Sequence, residues 1–183
     1  MLELSLHILD MLENSIEAGA TCIALRIEED LKKDRLTIVV RDNGPGMSEE
    51  MAHKVLDPFV TTRTTRHVGL GLPLFAAAAE RCNGRLWVEA KPGEGTTVVA
   101  TFQNSHIDRA PLGNLPATIM AAILSEHLVD VSYKHTVDGR TFELDTAEIR
   151  RQLDPVPLSA PGARQWLESR LQEGLAGLQR PIP

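Results

Sequence analysis

The sequence predicts an α+β protein: a two-layer α/β sandwich with helices on one face of a mixed, mostly antiparallel sheet. Segments that alternate apolar and polar residues occur in pairs separated by short turn sequences, which is typical of antiparallel hairpins. Segments with apolar residues at helical spacing lie before, between and after these pairs. Each such helix has one apolar stripe to bury, and a face of the sheet is the surface available for it.

The first helix is predicted over residues 2–18. Leu4, Ile8, Leu12 and Ile16 form one stripe, and Gly19 ends the helix. Residues 22–28 and 35–42 alternate apolar and polar side chains on either side of a charged turn, so they predict the first hairpin.

The next region combines two helices, a loop and a second hairpin. Ser48 followed by two glutamates predicts a short capped helix that ends near residue 56. Residues 57–68 follow neither period and predict a loop. A helix then opens at the glycines of VGLGLPL and ends at Asn83-Gly84. Residues 85–90 and 96–102 flank a turn over 91–95 and predict the second hairpin.

The C-terminal eighty residues predict further elements. A helix with Pro116 near its start precedes a hairpin over residues 128–145, whose turn is Asp138-Gly139. Asp145 then caps a short helix. The hairpin either extends the sheet or builds a small companion unit beside it.

The last helix follows a proline-rich link and carries a stripe of leucines with Trp166 beside it. This stripe docks on the protein's own body or on a dimer mate, or it binds a protein partner. The organisation expected from these elements is a first domain over residues 1–103, a helix–hairpin–helix extension over 104–153, and a link with a terminal helix over 154–183. The stripe is formed by Leu167, Leu171, Leu175 and Leu178.

Composition excludes several classes of protein. The chain of 183 residues has a formal net charge of -6, which argues against general nucleic-acid binding because phosphate backbones attract clustered Lys and Arg. No apolar run reaches the roughly 20 residues of a membrane span. Glu3 and Asp10 stand where a signal peptide has a basic start and an uncharged apolar stretch, so a cytoplasmic location without membrane contact is expected.

The sequence RDNGPGM at residues 41–47 predicts a ligand site at the end of a buried strand. Asp42 faces the layer between the sheet and the helices. Gly44 and Gly46 leave room for a flat ligand to approach the backbone. The same composition also occurs in ordinary turns, so the interpretation depends on the motifs that accompany it.

Two such motifs occur in the helices. Asn14 lies one turn beyond Asp10, and an amide oxygen in that position suits Mg²⁺, which prefers a few protein oxygens together with water and phosphate. Gly69 and Gly71 open a helix whose free N–H groups suit phosphate. Upstream, TTRTTR at 61–66 offers hydroxyl and guanidinium groups for phosphate oxygens.

Five segments together resemble the histidine-kinase-like ATPases, also called the GHKL family or Bergerat fold. They occur in the family's order over about residues 2–103, and this order makes the resemblance specific. The segments are DMLENSIEAGA, RDNGPGMS, LDPFVTTR, VGLGLPLF and PGEGTTVVATF.

The resemblance implies ATP and Mg²⁺ as ligands. Asp42 would accept a hydrogen bond from the adenine amino group, with Thr96 assisting through a water, and Gly44 and Gly46 would shape the adenine pocket. Asn14 would ligate Mg²⁺. The phosphate side would be formed by a lid over residues 61–68, which includes Thr62 and Arg63, and by Gly69, Leu70 and Gly71.

What the protein does with ATP has two interpretations. As an enzyme, it would be a stand-alone signalling kinase or ATPase with Asp10 as general base, where the family's hydrolytic members have the longer glutamate. As a sensor, it would bind ATP with little turnover and control a partner through the ordering of its lid. His7 has none of the sequence context of a phosphoacceptor and is expected to be a surface or half-buried side chain.

Overall fold

The computed structural model describes residues 3–56 and 71–179. Its elements follow the predicted order, with boundaries that shift by up to about three residues. The helices are α1 (Leu4–Glu17), α2 (Glu49–Lys54), α3 (Gly71–Arg81), α4 (Leu115–Ile123), α5 (Thr146–Leu153) and α6 (Pro161–Gln179). The strands are β1 (Cys22–Asp30), β2 (Arg35–Asp42), β3 (Arg85–Lys91), β4 (Gly95–Gln103), β5 (Asp130–Val137) and β6 (Arg140–Asp145).

One six-stranded sheet runs through the molecule in the order β3-β4-β2-β1-β5-β6. Its pairings are antiparallel except for β1 with β5, which is parallel. The C-terminal hairpin therefore extends the sheet, which decides between the two alternatives that the sequence left open. Both predicted hairpins of the N-terminal part are present.

One face of the sheet is buried beneath α1, α3, α4 and α6. Alternate residues of each strand point to this face, which is the period of two expected of a half-buried sheet. The buried set comprises Ile23, Leu25, Ile27, Leu36, Ile38, Val40, Val98, Ala100, Phe102, Val131, Tyr133 and Leu144. The protein is thus the predicted two-layer α+β sandwich.

A buried polar contact joins β5 to β1. The ring of His135 lies 2.9 Å through Nδ1 from the Tyr133 hydroxyl and 2.8 Å through Nε2 from Glu29 Oε1. Burial raises the pKa of Tyr133, with the nearby Glu29 charge adding to the effect, so the phenol stays protonated and can donate. The C-terminal hairpin is therefore tied to the central strand by side chains as well as by its backbone ladder.

The N-terminus of α1 is capped by a distant segment. Its first residue in the helix, Leu4, donates its backbone N–H to the Pro111 carbonyl at 2.9 Å, and Ser5 donates to the Leu112 carbonyl at 2.8 Å. Glu3 provides no side-chain cap for these groups. Since unpaired helix N–H groups are costly when buried, the connection between β4 and α4 stabilises the start of α1.

The terminal helix packs on the protein's own body. Leu167, Leu171 and Leu178 of α6 are buried, whereas Trp166 is 50% exposed. A Cβ added at Gly174 would lie 2.2 Å from the Phe142 ring, so this glycine lets α6 approach β6. None of the described helices is both long and apolar enough to cross a lipid bilayer.

His7 is more buried than the sequence predicts. Its side chain is 4% exposed and stacks on Phe75 of α3, with ring centroids 4.8 Å apart, and Phe75 in turn contacts Phe102. The expectation of a surface or half-buried histidine was wrong because α3 covers this face of α1. Within the described residues Nδ1 has no hydrogen-bond partner.

Burial makes His7 a pH-dependent element of stability. Desolvation, aided by nearby positive charge including Arg81, lowers its pKa from 6.5 to about 4. The unfolded chain binds a proton near pH 6.5 while the folded chain does not, so stability falls as the pH drops from 6.5 towards 4, by up to about 3 kcal/mol.

We therefore expect His7→Phe to flatten the stability profile between pH 7 and 5, because it removes this titration and keeps the stacked ring. Urea unfolding at each pH measures the effect. His127→Gln, which changes an exposed loop histidine, is the control and should retain the wild-type profile. An unchanged slope in His7→Phe would contradict the assignment.

Candidate functional site

Asp42 is the centre of the candidate site. It is the last residue of β2, and it lies on the buried face of the sheet with 9% of its surface exposed. Oδ1 accepts backbone N–H groups from Gly44 at 2.8 Å and from Thr96 at 3.2 Å. Oδ2 accepts the hydroxyl of Ser15 on α1 at 2.9 Å. Three donors from three elements therefore fix the carboxylate in one orientation.

The turn that follows Asp42 is fixed by Asn43. Its side-chain Oδ1 accepts the backbone N–H groups of Thr21 and Cys22, each at 2.9 Å, and its Nδ2 donates to the Thr21 hydroxyl at 2.9 Å. These bonds join the turn to the first residue of β1. The Asp42 backbone is thus held on the β1 side as well as in the β2 ladder.

Two glycines bring the loops on either side of the site into contact. Gly46 has a φ of 64°, and a Cβ there would lie 1.9 Å from the Lys91 carbonyl oxygen. Gly95 has a φ of 92°, and its Cβ would lie 2.0 Å from the Asp42 carbonyl oxygen. Neither position has room for a larger residue, so the turn after β2 packs directly on the turn before β4.

Gly44 lies over the carboxylate itself. A Cβ at this position would come within 3.0 Å of Asp42 Oδ1. A side chain at this position would therefore press against the buried carboxylate. That Gly44 and Gly46 shape a pocket for a flat ligand stays a prediction.

The remaining described site residues lie on α1 and at the start of α3. Asp10 and Asn14 are one helical turn apart and half-buried. Gly71, the first residue of α3, faces them: a Cβ there would be 3.3 Å from Asp10 Oδ2 and 3.3 Å from Met11 Cε. The N-terminus of α3, which is the positive end of the helix dipole, thus lies against Asp10.

Several site residues predicted from the sequence lie outside the described residues. They are Thr62, Arg63, Gly69 and Leu70. In the described part, the structure brings together Asp42, Gly44, Gly46 and Thr96, with α1 beside them.

Sequence reasoning missed Ser15 and Asn43. A serine within the apolar part of a helix, at LENSI, was the available signal for Ser15, because a buried hydroxyl needs a partner. Thr96 contacts Asp42 directly through its backbone N–H, which no side-chain pattern reveals.

Two side chains on α1 carry the type of ligand atom that Mg²⁺ prefers. The amide oxygen of Asn14 and the carboxylate of Asp10 are hard oxygen donors, which this ion prefers. Within residues 3–56 and 71–179, no three acidic, histidine or cysteine side chains converge as a ligand cage. The donor set fits an ion that is held by one or two protein oxygens, water and phosphate.

A family model described as "Histidine kinase-, DNA gyrase B-, and HSP90-like ATPase" matches residues 2–106, more than half of the chain. The chain belongs to this ATPase family. The match begins before α1 and ends after β4, so it includes every described residue that contacts Asp42. Strands β5 and β6 and helices α4, α5 and α6 lie outside it.

Curated relatives include the sensor protein DegM of Bacillus sp. (strain B21-2), 33% identical over 95 residues, which covers 52% of this chain and 25% of DegM. The sensor histidine kinase TmoS of Ectopseudomonas mendocina is 32% identical over 94 residues, or 48% of this chain and 10% of TmoS. The chain therefore spans a quarter or less of the length of these relatives.

Among solved structures, the catalytic domain of the histidine kinase ThkA is 21% identical, with a TM-score of 0.47. The alignment covers 57% of this chain and 68% of that one. The mycobacterial sensor histidine kinase MprB is 22% identical, with a TM-score of 0.45 over 52% of this chain and 68% of that one.

We expect Ser15→Ala to lower the free energy of unfolding by about 1–3 kcal/mol, because it leaves a buried carboxylate oxygen without its donor. Urea unfolding at neutral pH measures the loss. Ser5→Ala is a matched control on the same helix: Ser5 is also buried, but its hydroxyl donates to the nearby Glu3. An equal decrease in the free energy of unfolding in the two variants would show that the Ser15–Asp42 hydrogen bond stabilises the fold no more than the Ser5–Glu3 one does.

Proposed function

We propose that this chain binds ATP with Mg²⁺ and that Asp42 recognises the adenine amino group. The observation that carries the proposal is the fixed carboxylate: three protein donors hold it at a buried position beneath Gly44. Membership of the ATPase family supports the same ligand.

The hydrogen-bond capacity of Asp42 supports adenine over guanine. A carboxylate offers about four acceptor positions. Two on Oδ1 and one on Oδ2 are used by the protein, which leaves an acceptor position on Oδ2. Adenine presents an amino donor there, whereas guanine would present a carbonyl oxygen and leave two acceptors facing each other.

On the phosphate side, Asn14 would hold Mg²⁺ through its amide oxygen, with Asp10 close to the N-terminus of α3. The ion would neutralise phosphate charge when it is bound. The backbone N–H groups in the first turn of α3 suit a phosphate oxygen. Asp10 is the acid in this region that can take a proton from an attacking hydroxyl or water.

We further propose a role in signal transduction, as a kinase-like ATPase that acts on or with a protein partner. Relatives that match the ATPase part are named sensor proteins and sensor histidine kinases. In this proposal the terminal phosphate passes to a protein side chain or to water, and the C-terminal elements provide the surface for the partner.

A second candidate function is ATP sensing with little turnover. The cap on α1 favours it, because the carbonyls of Pro111 and Leu112 tie the helix that carries Asn14 to the segment that leads into α4. A change at the nucleotide end of α1 would then bias the C-terminal elements without any chemistry.

We expect Asp42→Asn to weaken ATP binding at least about 100-fold, because the amide offers the adenine amino group a donor or a weaker acceptor. Calorimetric titration with Mg·ATP measures the affinity. Asp34→Asn is the matched control: it changes a carboxylate that accepts from Ser105 and Gln103 at the opposite end of β2. Unchanged affinity in Asp42→Asn would overturn the adenine assignment.

The fate of the terminal phosphate separates the two candidate functions. With Mg²⁺ and γ-labelled ATP, an ATPase releases free phosphate, and Asp10→Asn should lower this rate by about 100-fold or more. Asn14→Ala should raise the Mg²⁺ concentration needed for half-maximal rate or binding. Label that stays on intact ATP, together with nucleotide-dependent protection of α4 from hydrogen exchange, would favour the sensor.

A further inference from the structure

The β6 edge of the sheet opens into a groove that lies outside the residues matched by the family model. The groove has a volume of about 500 Å³ and lies between α5, α6 and the outer edge of β6. We propose that it binds an extended basic segment of a partner protein, which adds to the sheet as a strand beside β6. The proposal does not depend on the nucleotide.

The backbone of β6 is available for this pairing. Asp138 and Gly139 form a two-residue turn with φ values of 47° and 84°, so Val137 and Arg140 are a hydrogen-bonded pair. Along an antiparallel ladder, residues that are hydrogen-bonded to the partner strand alternate with residues that are not. The N–H and C=O groups of Thr141 and Glu143 therefore point away from β5. Among the described strands, none pairs with this edge.

Side-chain geometry supports this register. The hydroxyls of Thr136 and Thr141 lie 3.0 Å apart, as expected of a pair without backbone hydrogen bonds between its members, where side chains are closest. Of the two residues with outward backbone groups, Glu143 lines the groove, together with its neighbours Leu144 and Asp145.

The charge of the groove selects the partner. Four carboxylates and one guanidinium, that of Arg170, line it. The guanidinium of Arg170 also lies over the face of the Phe142 ring, 5.7 Å from the ring centroid. Part of its positive charge is therefore engaged by this aromatic ring. A strand with lysine or arginine at alternate positions would bring its cations beside the acidic walls. The carboxylates belong to Glu143, Asp145, Glu148 and Glu173.

Trp166 adds an aromatic surface on the α6 side. It lines the groove and is 50% exposed, whereas its neighbour Leu167 is buried in the core. An exposed indole beside carboxylates is a favourable site for a lysine or arginine side chain, because its ring face attracts cations. The groove thus combines backbone pairing, negative charge and a cation-binding ring.

A second copy of the chain fits this edge poorly. In an antiparallel pairing of two β6 strands centred on Glu143, the Glu143 carboxylate of one copy would lie directly opposite that of the other. Like charges on directly opposed strands are destabilising. The same repulsion does not arise for a basic strand.

Binding can be measured with Trp166 as the reporter. The chain has two tryptophans, so Trp87→Phe leaves Trp166 as the single fluorophore at the groove. The probe is a blocked peptide about ten residues long that alternates lysine and threonine, long enough to span β6. One control peptide alternates lysine and proline, which keeps the charge, removes the N–H of every second residue and favours the polyproline II conformation over a paired strand. A second control replaces lysine with glutamate.

The lysine–threonine peptide should bind saturably at low salt, about tenfold more tightly than the lysine–proline peptide and with no measurable binding of the glutamate peptide. Hydrogen exchange of the Thr141 and Glu143 amides should slow when it binds. The double variant Glu148→Gln and Glu173→Gln should lose about tenfold in affinity, whereas Glu80→Gln with Glu126→Gln, which changes exposed carboxylates elsewhere, should lose none.

Four outcomes would overturn the proposal. Equal affinity for the threonine and proline peptides would mean charge attraction without strand pairing. Binding that leaves the β6 amides unprotected, or that is unaffected by the double variant, would place the peptide elsewhere on the surface. No binding of the lysine–threonine peptide at low salt would exclude the groove as a basic-strand site.

Discussion

The hydrogen bonds of the Asp42 carboxylate are the constraint on which the site depends. They join the end of β2 to α1 through Ser15, to its own turn through Gly44, and to β4 through Thr96. A buried carboxylate is stable only when such partners are supplied, so the helix and both loops must be in place together. Gly46 and Gly95 lie close to backbone oxygens, so the two loops must also pack directly on each other.

Helix α1 carries this constraint to the rest of the molecule. Its last turns contain Asn14 and Ser15, and its first turn packs His7 on Phe75 of α3. The N–H groups of Leu4 and Ser5 are paired by the segment before α4. The match to the ATPase family ends at residue 106, but the residues that cap α1 lie beyond it. The C-terminal part of the chain therefore helps to hold α1 in place.

The C-terminal elements also change the edge of the sheet. The parallel pairing of β5 with β1 extends the sheet, and the contact of His135 with Glu29 and Tyr133 stabilises that junction inside the core. Without β5 and β6, β1 would be an edge strand of the sheet; with them, the edge strand on this side is β6. Acidic side chains and α6 lie beside that edge. The proposed nucleotide site at the end of β2 and the proposed partner-binding edge at β6 are thus separated by β1 and β5 in one sheet.

The order of helices and strands, the caps at Ser48 and Asp145, and the burial of Asp42 at the end of a strand could be predicted from the sequence, because hydrophobic period, turn residues and capping residues are local signals. Three other features appear only in the folded structure: α3 buries His7, Ser15 and the Thr96 backbone donate to Asp42, and Pro111 and Leu112 cap α1. These contacts join residues far apart in the chain, and many involve backbone groups that every residue carries. No pattern of side chains can specify them before the sheet and helices are assembled.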